Sequence, residues 1–150
     1  MIAGGVLFLK KVTVLHLENM DHPRTIRTRI SPSEPFSVFY IHSIYQEPVV
    51  EEFEAEGDAM TLKGVRTKSP AVMEYYGFED MKGFHPMRQR LGAIYFMWGV
   101  GEGQGLIVRD RKISLSEIGN SGDRIQLRVE SLSLGRYLLL EIVTGLSMGG

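Results

Sequence analysis

The side chains best suited to chemistry lie close together in the sequence. His42 and Ser43 are adjacent, and the carboxylates Glu51 and Glu52 follow shortly after them. A serine, a histidine and an acid are the components of a nucleophilic triad, but neighbouring residues of a strand point to opposite faces of the sheet. His42 is therefore badly placed to act as a base for Ser43, and the sequence predicts no catalytic residue here.

A zinc site is the second chemistry that these residue types could support. His42, one of the two glutamates and His85 would supply the ligands. The four histidines of the chain are widely spaced, however, and there is no cysteine to supply a thiolate ligand. We therefore predict neither a metal nor another cofactor, and a metal-dependent hydrolase that uses His42 and a glutamate is the weakest alternative.

The sequence instead predicts a structural role for His42. If the strand connection is three residues long, His42 lies opposite Glu52, and if it is four residues long, His42 lies opposite Glu51. Opposite charges directly across a strand pair stabilise it by roughly 0.2–1 kcal/mol. We expect His42 to pair with one of these glutamates across a hairpin.

An acidic run and a group of aromatic residues are the remaining candidate binding features. Glutamates recur from residue 47 to residue 56, which favours a solvated strand face, with cation binding as the alternative. Tyr75 and Tyr76, together with Phe78 and Phe84, could line a small-molecule pocket. Packing at a sheet edge is the competing interpretation of these aromatic residues.

These residues belong to a chain whose patterning is mostly that of β-strands. Period-two alternation and β-branched side chains predict strands over residues 11–17, 25–30, 36–45, 49–56, 59–65, 91–98, 106–109, 111–115, 124–129 and 136–143. Pro70 begins a short predicted helix that Gly77 ends. Residues 85–90 and 99–105 are predicted as loops. Short, closely spaced strands are typical of an all-β domain, either an antiparallel β-sandwich or a partly open barrel with at most one short helix.

Length and composition fit a single domain of this class. The chain has 150 residues, of which 43% are hydrophobic and 23% charged, with a formal net charge of -1. These values exclude a disordered chain and argue against a basic nucleic-acid binder. Residues 12–143 are predicted to form one domain and residues 144–150 a flexible tail. Residues 1–11 are either a first strand or the truncated stump of a signal or membrane anchor.

Residues 36–53 resemble the signature of the prokaryotic family called domain of unknown function 1850. The matching positions are Tyr40, His42, Ser43, Pro48, Val49, Glu51 (or Glu52) and Phe53. The order of elements over residues 12–143 is also similar to that of the family. Residues 68–76 depart from it, because many members have a stretch rich in glycine and alanine there.

The resemblance implies a non-enzymatic extracytoplasmic domain, periplasmic or membrane-anchored, that is accessory to a tripartite transporter of the solute-receptor type. Its partners would be the transporter membrane subunit or the solute receptor, with membrane association through a missing N-terminal segment. A cytoplasmic location stays open. The alternative is a small-molecule binding module with a pocket near residues 75–84, and the candidate binding residues are His42, Ser43, Glu51, Glu52, Tyr75 and Tyr76.

Overall fold

The computed structural model describes residue 5 and residues 9–78, 83–97 and 103–147. The strands are β1 (Lys11–Asn19), β2 (Thr25–Ile30), β3 (Pro35–Ile41), β4 (Pro48–Glu56), β5 (Ala59–Thr67), β6 (Phe84–Leu91), β7 (Ile94–Met97), β8 (Gly105–Val108), β9 (Arg111–Ser114) and β10 (Arg124–Ser133). The helices are α1 (Pro70–Tyr75) and α2 (Leu134–Ser147), and Leu115–Glu117 forms a single 3-10 turn.

The strands form two antiparallel sheets that pack face to face, which confirms the predicted all-β sandwich. The first sheet has the order β2-β1-β10-β7, and the second has the order β6-β5-β4-β3-β8-β9. Strands β3, β4 and β5 follow one another as an antiparallel meander, and β6 pairs with β5 at the edge of the sheet. Strand β10 pairs with β1 over nine positions, so the two ends of the domain meet in one sheet.

The hydrophobic core lies between the two sheets. Phe36 and Phe53 stack with their ring centres 5.7 Å apart, and Leu15 and Leu127 enter the same cluster from the first sheet. Burial of each such side chain stabilises the fold by about 1.5–3 kcal/mol.

Helix α1 forms where the sequence predicts a short helix. The Ser69 hydroxyl accepts a hydrogen bond from the amide of Val72, Pro70 occupies the first turn, and Gly77 follows the helix with a positive φ of 77°. Val72 is fully buried against Val49 and Val65, so α1 packs on strands β4 and β5 of the second sheet.

Helix α2 corrects the prediction of a strand over residues 136–143, and with it the expectation of at most one short helix. Leucine has a high helix propensity, and in a helix Leu134, Tyr137 and Leu140 lie on one face. That face packs against Val12 and Val14 of β1, and against Leu132. The helix passes through residue 144, where the predicted flexible tail begins, and residues 148–150 lie outside the described residues.

Three further boundaries differ from the sequence expectation. Strand β3 ends at Ile41 rather than at residue 45, because residues 42–47 form the connection to β4. Residues 85–90 belong to β6 instead of a loop. The predicted strand over residues 91–98 is divided between the end of β6 and β7, which lie in different sheets. Most of the predicted loop at residues 99–105, and most of residues 1–11, lie outside the described residues.

Candidate functional site

Glu51 occupies a position in β4 that faces the interior. Its neighbours two residues away on the strand, Val49 and Phe53, are 0% and 1% exposed, and Glu51 between them is half-buried. Glu52 and Glu54 lie on the opposite face, where they form ion pairs of 3.4 Å with Arg66 and Lys63. The acidic run is therefore not one solvated face, because Glu51 belongs to the core-facing side of the sheet.

Two tyrosine hydroxyls hold the Glu51 carboxylate. The phenol oxygens of Tyr40, from β3, and Tyr76, which follows α1, lie 3.1 Å and 3.0 Å from the same oxygen, Glu51 Oε1. The two phenol oxygens also contact each other. Among the described residues, no lysine or arginine forms an ion pair with Glu51. The carboxylate is thus hydrogen-bonded but its charge is not balanced.

Burial strengthens the preference of both phenols for the protonated form. It raises the pKa of Tyr40 far above the ordinary tyrosine value, and the Glu51 charge acts in the same direction. Burial also raises the pKa of Tyr76, to about 12, again with a contribution from Glu51. Both hydroxyls therefore stay protonated at neutral pH, as hydrogen-bond donors to a carboxylate must.

The connection between β3 and β4 adds a second group of rings. The His42 amide donates to the Glu47 carbonyl, and the Gln46 amide donates to the His42 carbonyl, each at 2.8 Å. The His42 imidazole accepts a hydrogen bond from the Ile44 amide at 3.3 Å through Nδ1. The same ring stacks on Tyr45 at 5.2 Å and meets the edge of Tyr75 at 4.7 Å.

These groups border two adjoining grooves. The larger has a volume of about 390 Å³, and the described residues that line it are Tyr40, Ile41, His42, Ser43, Tyr75, Tyr76, Met97 and Gln104. The smaller, of about 270 Å³, shares Tyr40, Met97 and Gln104 and extends to Glu51 and to strand β7. We call the two together the tyrosine groove. Its described lining contains no lysine or arginine.

Gln104 contributes a polar atom that the described protein leaves unused. Its Oε1 is buried and has no hydrogen-bond partner among the described residues. A buried acceptor without a donor costs free energy, so a donor supplied by a ligand or by water would be stabilised there. Glu51 and Gln104 together present two acceptors to the tyrosine groove.

The structure brings together five of the six predicted binding residues. His42, Ser43, Tyr75 and Tyr76 line the larger groove, and Glu51 lies at the smaller one. Glu52 lies on the other face of the sheet. Of the remaining aromatic residues, Phe78 stacks on Tyr76 at 5.7 Å, whereas Phe84 packs beneath the Arg66 guanidinium.

The predicted pair between His42 and a glutamate is wrong. Ile41 pairs with Pro48, so the connection is six residues long and His42 lies within it. Glu51 faces Val38 instead, and Glu52 faces Ser37. Within this longer connection the imidazole stacks on Tyr45 and meets the edge of Tyr75 instead.

Sequence reasoning missed Tyr40 and Gln104 as parts of the site. Tyr40 could have been found, because it continues the inward-facing alternation of Phe36 and Val38. Gln104 carries no such signal, since its position depends on how β8 pairs with β3. The described residues contain no group of three histidine, aspartate or glutamate side chains that could hold a metal ion.

The fold and groove define a β-sandwich domain with an aromatic-lined groove that contains one carboxylate without a basic partner among the described residues. Comparison with protein families, curated proteins and solved structures finds no match for this chain. Within the described residues, no helix is long and apolar enough to span a membrane.

Proposed function

We propose that this chain is a non-enzymatic binding domain whose tyrosine groove takes a small molecule with a positively charged amine. The observation that carries the proposal is the Glu51 carboxylate, which is partly buried beside open space and has no basic partner among the described residues. A cation bound there would supply the missing charge. This proposal adopts the small-molecule alternative from the sequence and gives it a ligand class.

The aromatic lining supports a cationic ligand in particular. Cations are attracted to the faces of tyrosine rings within about 6 Å, by about 0.5–1 kcal/mol at exposed sites and more where water is excluded. Tyr75 is 59% exposed at the mouth, and Tyr40 and Tyr76 are more deeply placed. A protonated amine could donate to Glu51 and Gln104 while its carbon substituents contact the rings.

A binding role fits the chemistry of these groups better than catalysis. The pKa of Tyr76, raised to about 12, keeps this phenol protonated at neutral pH, so its oxygen is not available as a general base. The His42 Nδ1 already accepts the Ile44 amide. The groups of the groove are thus arranged to recognise a ligand, which supports the expectation that no residue here is catalytic.

Titration calorimetry with choline tests the proposal, with its neutral carbon analogue dimethylbutanol as the matched control ligand. We expect choline to bind and dimethylbutanol to bind at least about tenfold more weakly, because the analogue lacks the charge that Glu51 attracts. Putrescine serves as a second probe that can also donate hydrogen bonds.

Two glutamate variants locate the site. Glu51→Gln should weaken choline binding at least about tenfold, whereas Glu52→Gln, on the opposite face, should leave it unchanged. Equal binding of choline and dimethylbutanol, or equal effects of the two substitutions, would falsify the cationic ligand class. Absence of binding by both amines contradicts the proposal as well.

We also propose an accessory role for the domain beside a tripartite transporter, outside the cytoplasm. This second candidate rests on the resemblance of residues 36–53 to the family signature, which includes Tyr40 and Glu51. A pull-down with the solute receptor encoded beside this chain's gene tests it. Specific retention of that receptor supports the role, and failure of both the receptor and the membrane subunit to bind contradicts it.

A further inference from the structure

Helix α2 has a second apolar face that the described protein does not cover. Its inner face packs on β1 and β10 through Leu134, Tyr137 and Leu140. On the opposite side, the exposed fractions of four apolar side chains lie between 43% and 62%, and these residues are Leu138, Leu139, Ile142 and Val143. At 3.6 residues per turn these four form one continuous stripe. A helix that is apolar on both sides is stable when both sides are covered.

A concentration of positive charge lies beside the first turn of the same helix. A groove of about 640 Å³ contains Lys10, Lys11, Arg29 and Arg109 in its lining. The Lys10 carbonyl accepts a hydrogen bond of 2.7 Å from the amide of Leu134, which places the groove next to the beginning of α2.

Most of this charge is not balanced by acidic side chains. Arg109 is paired with Glu34, with 2.6 Å between Arg109 Nε and Glu34 Oε1. Lys10, Lys11 and Arg29 have no carboxylate partner in the described part of the chain. Because the whole chain has a formal net charge of -1, the excess is a local feature and not a general one.

We propose that the outer face of α2 and this basic groove together form a docking surface for an anionic phospholipid bilayer. Exposed leucine, isoleucine and valine side chains enter the boundary between headgroups and acyl chains, and lysine and arginine bind the lipid phosphates. The 14-residue helix is about 21 Å long, too short to span a bilayer, and lies in the plane of the surface.

A lipid surface accounts for both features together. A second copy of the chain would cover the apolar stripe, but it leaves the basic groove without an explanation. The bilayer instead supplies hydrocarbon to the stripe and phosphate to the groove at the same time. This inference uses residues outside the tyrosine groove and does not rest on the proposed ligand.

Vesicle sedimentation of the full chain tests the proposal. The vesicles contain phosphatidylcholine alone, or phosphatidylcholine with about a quarter phosphatidylglycerol. We expect binding to the anionic vesicles and little to the neutral ones. Since each lysine near an anionic surface contributes about a fivefold gain in affinity, the double variant Lys10→Gln/Lys11→Gln should bind roughly 25-fold more weakly.

Exposed residues elsewhere supply matched controls. Ile142→Gln should reduce binding at least about tenfold, whereas Met20→Gln, an exposed apolar residue far from α2 in sequence, should not. Lys68→Gln is the control for the lysines. Glu51→Gln should bind vesicles like the unmodified chain, which excludes capture of choline headgroups by the tyrosine groove.

Three results overturn the proposal. The first is equal binding to neutral and anionic vesicles, and the second is equal loss in the lysine variants and in Lys68→Gln. The third is an absence of vesicle binding. If ultracentrifugation then shows a dimer that Ile142→Gln dissociates, the apolar stripe is an interface between two copies of the chain.

Discussion

Glu51 in β4 and Glu130 in β10 are both partly buried carboxylates of interior strands, one in each sheet, but their surroundings differ. Glu130 Oε1 lies 2.7 Å from Arg128 Nη2 and 3.0 Å from His16 Nδ1. Glu51 accepts hydrogen bonds from two phenols and has no basic partner among the described residues. The charge of the first carboxylate is balanced within the protein, whereas the second has only neutral hydrogen-bond donors among the described residues.

The difference separates a carboxylate whose charge the protein neutralises from one that it only holds in position, and the binding role of Glu51 that we propose depends on this contrast. In a partly buried ion pair each charge is balanced by the other, and removal of the acid leaves the cation without its partner. A carboxylate held only by neutral donors is fixed in position without being neutralised. The same contrast predicts which substitutions affect stability.

The largest effect should come from the balanced carboxylate. Glu130→Ala removes a charged hydrogen-bond partner from both Arg128 and the buried His16, so we expect a loss of about 2 kcal/mol in the free energy of unfolding. Urea denaturation measures it. Glu18→Ala is the matched control, because Glu18 is 3.8 Å from the same guanidinium but more exposed, and it should cost less than about 0.5 kcal/mol. Equal losses of unfolding free energy in Glu130→Ala and Glu18→Ala would contradict the special role of Glu130.

A smaller effect should come from the phenols around Glu51. Tyr76→Phe removes one of two donors to the carboxylate, so the free energy of unfolding should fall by about 1 kcal/mol. Tyr75→Phe is the control, since the Tyr75 hydroxyl has no hydrogen-bond partner among the described residues, and its effect should stay below about 0.5 kcal/mol. A greater loss in Tyr75→Phe contradicts the assignment.

Alkaline pH should lower the free energy of unfolding through the ionisation of Tyr76, beside Glu51. Burial and Glu51 raise the pKa of Tyr76 from 10.0 to about 12 in the folded protein. Tyr76 therefore makes its full contribution to the free energy of unfolding below pH 10.0. This contribution is lost as the pH rises toward about 12, where the phenol of the folded protein ionises. Tyrosinate absorbance follows this directly, and Glu51→Gln should shift the late titration to lower pH. An unchanged titration in that variant contradicts the role of Glu51.

The smallest effect should come from His16, beside Glu130, when the pH becomes acidic. We expect a small decrease in the free energy of unfolding. Burial lowers the pKa of His16 below 6.5, while Glu130 raises it and the charges of Arg128 and Arg27 lower it further. The neutral imidazole is therefore favoured in the folded state. His16 therefore makes its full contribution to the free energy of unfolding above pH 6.5. This contribution declines as the pH falls toward the lowered pKa of the folded protein. Urea denaturation of the unmodified chain and of His16→Asn should show this dependence only in the former, and the same slope in both would contradict it.

Local sequence patterns predicted much of the fold because the information they carry is itself local. The alternation in β1 and β10, the turn residues between strands, and the Ser69–Pro70 start of α1 each depend on neighbouring residues. Helix α2 shows where such patterns fail. Its apolar residues can form the buried face of a strand or of a helix, and the apolar surface at Val12 and Val14 decides between them.

The candidate site likewise depends in part on local sequence and in part on tertiary structure. By itself the sequence determined the residue types, the strands that carry Tyr40 and Glu51, and the short helix that precedes Tyr76. Only the tertiary structure decided that the connection after Ile41 is six residues long, that Glu51 faces inward, and that both phenols reach its carboxylate. The physical reason is that strand register and helix packing depend on pairings between residues far apart in the chain, which no local alternation specifies.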